Sequence, residues 1–169
     1  MCRFCTECKS DTPNIEIAKV SIENCDKLES LDLTNFNKLT DVTLRKLPKL
    51  KSVKFPNILI YLFIANCPAV ESINLSDYNS LEYVTIYYNS NIKEIICPTV
   101  DSLDISECPL LSSLHFSDIN CMSIRHCKSL TLLDFSEKKM TYLDYTGNVS
   151  LKDIKVNDSV ESFIYKKGL

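Results

Sequence analysis

Three cysteines near the start of the chain have the spacing of metal ligands. Cys2, Cys5 and Cys8 are separated from one another by two residues each. Thiolates at this spacing hold a zinc ion tetrahedrally when a fourth ligand comes from elsewhere, and such a site is structural rather than catalytic when it is closed. The alternative is an N-terminal cap whose thiols pack or stay free. The cluster predicts at most a structural zinc ion, and the sequence implies no other cofactor.

Side chains that could carry out catalysis are few and scattered. The two histidines are His115 and His126. His126 precedes Cys127, but adjacent residues point in opposite directions, and cysteine–histidine chemistry needs side chains that converge. Four aspartates are expected to face outward singly: Asp32, Asp104, Asp134 and Asp144. We find no catalytic set and predict that the protein is not an enzyme.

The composition narrows the possible partners. Only 2 of the 169 residues are glycine, whereas phosphate-binding loops need several. The net charge of −3 gives no overall attraction to nucleic acid or to an anionic membrane. No run approaches the roughly 18 apolar residues that span a bilayer. We therefore expect no small-molecule substrate, no membrane contact, and nucleic acid contact only as part of an assembly.

The cysteine content bears on the cellular compartment. Residues 1–14 lack the apolar core of a secretion signal. The nine cysteines are an odd number, and most are spread along the chain. Reduced thiols are typical of proteins inside the cell. The sequence therefore predicts an intracellular, cytoplasmic protein with reduced cysteines.

Short strands are the elements that position all of these residues. Apolar–polar–apolar triplets recur along the chain, as in Val20–Ile22 and Leu103–Ile105. This period-two alternation predicts strands, and strands this short must stack on neighbours to be stable. The triplets begin at residues 20, 31, 42, 53, 62, 73, 84, 95, 103, 114, 122, 133, 143, 154 and 163.

The spacing of these triplets predicts the architecture. Every odd-numbered step in the series is 11 residues, and the even-numbered steps vary from 8 to 11. Two kinds of turn therefore alternate, and the repeat is two strands long, about 20 residues. A fixed period of this length indicates a solenoid. We predict a mainly β solenoid over residues 15–169, with about eight coils, two short parallel β-sheets and little helix, and a cap over residues 1–14.

Three segments carry a family resemblance. Leu59–Cys67, Leu81–Asn89 and Val100–Cys108 resemble the leucine-rich repeat signature L-x-x-L-x-L-x-x-N/C. The resemblance extends over roughly residues 17–165. Because each coil contains a second strand, the chain is most similar to the short, irregular BspA-like repeats. The resemblance implies a right-handed solenoid that presents a surface to other proteins.

One turn position recurs in every coil and is expected to point inward. A thiol there is a small buried hydrophobic group, and an asparagine there can satisfy backbone groups of the turn. Cys108 and Cys127 fall at this position in successive coils, within disulfide reach, and are predicted to be core thiols. The position is occupied by Cys25, Leu47, Cys67, Asn89, Cys108, Cys127 and Asn148.

Aromatic residues concentrate on one predicted face. Alternation places them on the solvent side of the first strand of each coil, whereas the second strand carries mostly small or polar residues there. Clustered tyrosines favour a protein-binding hot spot, although aromatic residues also stabilise pairing between strands. Arg45, Arg125 and His126 are expected to form a polar rim. The predicted partner-binding residues are Tyr61, Phe63, Tyr83, Tyr87, Tyr88, Tyr142, Arg45 and Arg125.

The leading hypothesis is a non-enzymatic leucine-rich-repeat module that binds a partner protein through this face. One alternative is a structural subunit of a large assembly, such as a virion shell or a ribonucleoprotein particle. The apolar last strand, Phe163–Tyr165, suggests this alternative because only four residues follow it. A second alternative is the substrate adaptor of a ubiquitin ligase-type complex.

Overall fold

A computed structural model describes residues 16–138, 140–156, 158 and 160–164. The predicted cap, with Cys2, Cys5 and Cys8, lies outside the described residues, so the zinc site stays a prediction. Within the described residues the chain forms fifteen strands and no helix. The strands are β1 Lys19–Glu23, β2 Ser30–Asp32, β3 Asp41–Arg45, β4 Ser52–Lys54, β5 Tyr61–Ala65, β6 Ser72–Asn74, β7 Tyr83–Tyr87, β8 Glu94–Cys97, β9 Val100–Ser106, β10 Ser113–Phe116, β11 Ile119–Arg125, β12 Leu132–Asp134, β13 Tyr142–Asp144, β14 Asp153–Lys155 and β15 Ser162–Ile164.

The odd-numbered strands form one continuous parallel sheet. Its eight strands follow the order β1-β3-β5-β7-β9-β11-β13-β15, so each coil adds one strand next to the strand before it. The register stacks equivalent residues: Leu62 lies opposite Val84, which lies opposite Leu103. The predicted β-solenoid is confirmed. Its last predicted strand appears as β15, while Tyr165 lies outside the described residues.

The even-numbered strands form the second side of the solenoid, which is divided. They make three separate parallel sheets, β2-β4, β6-β8-β10 and β12-β14. Seven described coils therefore carry both strands, slightly fewer than the eight predicted. We call the two interruptions, between β4 and β6 and between β10 and β12, the seams.

Aromatic pairs occupy both seams. At the first seam the Phe55 amide donates a hydrogen bond to the hydroxyl of Tyr78 over 3.3 Å. The two rings meet edge to face with centroids 5.6 Å apart. At the second seam the ring centroids of Phe116 and Phe135 lie 5.0 Å apart. Ring packing thus takes the place of backbone pairing at these two positions.

The core lies between the two sides and is built from the inward residue of each alternation. Leu44, Leu62, Ile86, Leu103 and Ile124 are buried in successive coils of the first sheet. Burying each such side chain stabilises the fold by about 1.5–3 kcal/mol. Only two polar residues of the described chain are fully buried, and both are asparagines at the recurrent turn position, Asn89 and Asn148.

Each of these asparagines forms hydrogen bonds with the backbone of the preceding coil. The amide oxygen of Asn89 accepts a hydrogen bond from the Cys67 amide at 2.9 Å. Its amide nitrogen donates to the carbonyl oxygens of Tyr87 at 2.8 Å and Ile64 at 3.2 Å. Asn148 makes the equivalent set of bonds three coils further along. The predicted role of asparagine at this position is confirmed.

Cysteines at the same turn position form fewer hydrogen bonds to the backbone than the asparagines do. The thiol of Cys67 donates to the carbonyl oxygen of Ala65 at 3.5 Å, and Cys108 and Cys127 donate to the carbonyl two residues before them. The hydrogen bond with Cys108, together with burial, raises the pKa of the Cys127 thiol. Cys108 and Cys127 are free and buried, as predicted for core thiols. The expectation that all cysteines are reduced is wrong for Cys25, which is disulfide-bonded.

Each strand of the first sheet up to β13 ends close to a residue with a left-handed backbone. Six of these residues have φ between 51° and 57°, and Gly147 has φ 73°. Their amides donate to the next coil, as Glu107 does to the carbonyl oxygen of Arg125 at 3.0 Å. The conformation turns the chain inward toward the recurrent turn position. The six are Asn24, Lys46, Asn66, Tyr88, Glu107 and His126.

Candidate functional site

The outward side of the eight-stranded sheet, which we call the outer face, carries three rows of side chains. Because the strands are parallel and in register, equivalent residues of successive strands stand side by side. The first row is Lys19, Asp41, Tyr61, Tyr83, Ser102, Cys121, Tyr142 and Ser162. The third-position row includes Thr43, Phe63, Thr85, Asp104, Ser123 and Asp144, and the fifth-position row includes Arg45, Ala65, Tyr87, Ser106 and Arg125.

Five aromatic residues gather on β5 and β7 and the turn after β7. Tyr61 lies opposite Tyr83 in the register. The rings of Phe63 and Tyr87 meet edge to face at 5.8 Å, and those of Tyr87 and Tyr88 at 6.4 Å. Tyr83 is 42% exposed and Tyr88 is 59% exposed, while the other three are half-buried. We call these five residues the aromatic patch.

Arg45 borders the patch on the β3 side. Its guanidinium carbon lies 5.5 Å from the centroid of the Phe63 ring, within the range of a cation–π interaction. Its side chain is exposed, and no carboxylate of the described residues lies within ion-pair distance of it. Arg45 therefore lies at the β3 edge of the patch, where its charge is not neutralised by a carboxylate of the described residues.

Asp104 borders the patch on the opposite side and joins Arg125 to it. The Tyr87 hydroxyl donates a short hydrogen bond to Oδ2 of Asp104. Arg125 donates to both oxygens of the same carboxylate, at 3.2 Å and 3.4 Å. The alternation of the sequence predicts Asp104 only as a single outward aspartate. The signal that it missed is the register, which sets Asp104 beside Thr85 and diagonally beside Tyr87.

The ionisation of these groups follows from the contacts. Burial, and then the hydrogen bond to Asp104, raise the pKa of Tyr87 to about 12. Burial alone would lower the pKa of Arg125, but the neighbouring Asp104 carboxylate outweighs it and raises that pKa. Nε of Arg125 is buried and has no hydrogen-bond partner among the described residues. The Asp104 carboxylate therefore holds the guanidinium in place despite its partial desolvation.

Together these contacts form one continuous line, the contact chain Arg45–Phe63–Tyr87–Asp104–Arg125. It crosses five neighbouring strands, from β3 to β11, and spans about 19 Å at the usual strand spacing. Each side chain in it is fixed by its neighbours, so the surface is ordered before anything binds. Of the eight predicted residues, the structure thus brings seven together on β3 to β11.

Tyr142 is the exception. It lies on β13 in the first row, and Ser102 and Cys121 separate it from Tyr83. Its side chain is half-buried and faces outward, as alternation predicted. Tyr142 belongs to the outer face, but it lies outside the aromatic patch.

The second side holds a serine, a histidine and a glutamate that lie close together. The hydroxyl of Ser113 is 2.9 Å from Nε2 of His115, and a carboxylate oxygen of Glu94 is 3.7 Å from the same nitrogen. A catalytic relay needs the serine and the acid on different ring nitrogens. The arrangement is therefore a surface cluster without the geometry of a triad. His126, the other histidine, packs against Gly147.

A groove of about 430 Å³ lies beside this cluster, at the ends of β6, β8 and β10. Its titratable residues are His115 and Cys97. Burial raises the pKa of the Cys97 thiol to about 12, so it is not an activated nucleophile. Among the residues that the structure describes, no three histidine, cysteine or acidic side chains are placed to hold a metal ion.

The remaining predicted aspartates have local structural roles. Asp32, Asp134 and Asp144 each accept a hydrogen bond at 3.0 Å from the amide two residues later. This Asx turn ends the strand. The hydroxyl and amide of Ser136 lower the pKa of Asp134 to about 2.

Comparison with protein-family models, curated proteins and solved structures finds no match. The leucine-rich-repeat resemblance therefore rests on the motif of the sequence alone, because a solenoid shape by itself does not identify the family. In the described part of the chain, no helix is long and apolar enough to cross a membrane.

Proposed function

We propose that this protein is a non-enzymatic interaction module of the leucine-rich-repeat kind, which binds a partner protein through the aromatic patch on its outer face. The observation that carries the proposal is the contact chain. It holds together an aromatic cluster with charged ends on a continuous eight-stranded sheet. Tyrosine and arginine dominate the energetics of protein interfaces, and a preordered surface loses little conformational entropy on binding.

The exposure of the patch supports a contact with another protein. Tyr83 and Tyr88 are large, amphipathic and exposed, whereas the outward residues that flank the aromatic patch on β9, Ser102, Asp104 and Ser106, are small or charged. Neither makes a hydrogen bond through its hydroxyl to the described residues, and both hydroxyls are available to a partner. Tyr87, by contrast, is committed to Asp104 and supports the surface from within.

The test is to replace both exposed tyrosines by alanine and to measure partner capture from the native source. We expect the Tyr83→Ala/Tyr88→Ala variant to lose the partner while its circular dichroism and melting temperature stay close to those of the wild type. Neither side chain belongs to the core, so the fold should persist.

A matched control removes two exposed apolar side chains from the second side, in Leu132→Ala/Val156→Ala. This control should retain the partner. Retention by both variants would disprove the proposal and would favour a contact through the ends of the solenoid, as in the structural-subunit hypothesis. That hypothesis and the adaptor hypothesis stay predictions.

A further inference from the structure

Seven lysines and arginines of the described residues pair with a carboxylate of the neighbouring coil. Lys51 pairs with Glu29 at 3.2 Å, and Lys93 pairs with Glu71 at 3.1 Å. Two neighbouring cations at the end of β3 are not paired in this way. Arg45 and the following Lys46 are both exposed, and neither has an ion-pair partner among the described residues. This corner of the outer face, which adjoins the aromatic patch, therefore carries two unneutralised positive charges.

The other charged residues around the patch make its two ends opposite in sign. Glu23 lies opposite Arg45 in the register, but it accepts a hydrogen bond from Ser21 and does not pair with Arg45. At the opposite edge of the patch, where β7 and β9 begin, the exposed charges are the carboxylates of Glu82 and Asp101. The patch is thus basic where β3 ends and acidic where β7 and β9 begin.

We propose that the occupant of the aromatic patch is an acidic–apolar peptide segment of the partner protein. This deepens the proposed function and rests on it. A carboxylate of the segment would pair with Arg45 and Lys46, and an adjacent apolar or aromatic side chain would pack on Tyr83 and Tyr88. A guanidinium binds carboxylate in a two-pronged geometry. The acidic edge repels the same carboxylate, so it selects one orientation of the segment along the strands.

Charge also argues against nucleic acid as the occupant. A bound phosphate backbone needs a run of cations along its path, whereas here two cations stand at one corner and two carboxylates stand at the other edge. A single acidic side chain next to an apolar one matches this arrangement better.

The experiment selects phage-displayed random twelve-residue peptides on the full-length chain and measures the affinity of the enriched peptides by fluorescence polarisation. We expect enrichment of aspartate or glutamate next to aromatic or large aliphatic residues. Arg45→Glu/Lys46→Glu should weaken these peptides by at least about tenfold, because like charges then meet at the corner. Raising the salt concentration should weaken the wild-type complex.

The control changes the net charge equally at exposed lysines several coils away, in Lys128→Glu/Lys152→Glu, and should leave the affinity unchanged. Enriched peptides that lack acidic residues but still depend on Tyr83 and Tyr88 would overturn this inference and leave the proposed function intact. Peptides that are insensitive to the tyrosines, or no enrichment at all, would count against both.

Discussion

Asp104 is the residue on which the polar half of the contact chain depends. One carboxylate accepts hydrogen bonds from Tyr87 and from Arg125, which lie on different strands. Side-chain bonds that involve a charged group contribute about 1.5–3 kcal/mol each in favourable settings. Removing the charge therefore weakens two contacts and leaves a half-buried guanidinium without its counter-charge.

We predict that Asp104→Asn lowers the free energy of unfolding by about 1–2 kcal/mol, measured by urea denaturation. It should also lower the pKa of Tyr87 from about 12, because a neutral amide no longer opposes ionisation of the phenol. Asp101→Asn, an exposed acid on the same strand, is the control and should change neither quantity. Equal effects of the two substitutions would contradict this interpretation of the contact chain.

Asp134 gives a pH dependence of known sign. Its pKa in the folded chain is about 2, lowered mainly by the hydroxyl and amide of Ser136. A lowered pKa contributes stability above the ordinary aspartate pKa, and that contribution is lost as the pH falls toward 2. Asn74 makes the same turn with an uncharged side chain. Its Oδ1 accepts a hydrogen bond from the backbone amide of Ser76 at 3.0 Å.

We therefore predict that the urea midpoint of the wild type falls between pH 5 and pH 2.5, and that Asp134→Asn falls less over the same range. The variant keeps the turn but has no charge to lose. The measurement is chemical denaturation of both proteins at several pH values. Parallel curves for the two proteins would show that this carboxylate does not contribute.

At the scale of the strand and its turn, the residues with a left-handed backbone conformation lower the stability of the fold. The left-handed conformation costs a residue with a side chain roughly 1–2 kcal/mol, and asparagine tolerates it better than most. Asn24 and Asn66 fit this preference, and histidine, as at His126, is also enriched in this conformation, whereas Tyr88 and Glu107 are not residues that favour it. The regular turn length imposes the conformation on whichever residue falls there.

We predict that Glu107→Asn stabilises the fold by about 0.5–1 kcal/mol, seen as a higher melting temperature. Gly147→Ala should act in the opposite direction. Its φ is 73°, and an added Cβ would lie 2.3 Å from Nδ1 of His126. If Glu107→Asn lowered the melting temperature instead, the glutamate side chain would have to make a favourable contact that outweighs its backbone strain.

The sequence predicts the strands better than it predicts the side-chain contacts between them. The triplets located the strands because alternation has a fixed period, and they assigned Tyr83 and Tyr87 to the outward side for the same reason. The bond between Tyr87 and Asp104 joins residues 17 positions apart and depends on register and side-chain conformation, which periodicity does not encode. Tyr88 and Glu107 are not typical turn formers, so nothing in the sequence indicated their backbone conformation.

For the whole molecule, the main difference from the sequence-based expectation is the inequality of the two sides. The spacing predicts two parallel β-sheets, yet only the odd-numbered strands form a continuous sheet. The seams fall where Phe55 and Tyr78, and Phe116 and Phe135, face each other. Ring size at these places decides the pairing, and the triplet pattern records only that a residue is apolar.

The seams give the solenoid an uneven mechanical character. On the outer face eight strands are joined by unbroken rows of backbone hydrogen bonds, so stretching that side means breaking bonds. On the second side, the seams lack these rows of backbone hydrogen bonds and are bridged by ring contacts. The solenoid should therefore bend most easily at the two seams. During such bending the distance between Arg45 and Arg125 along the outer face should stay nearly constant.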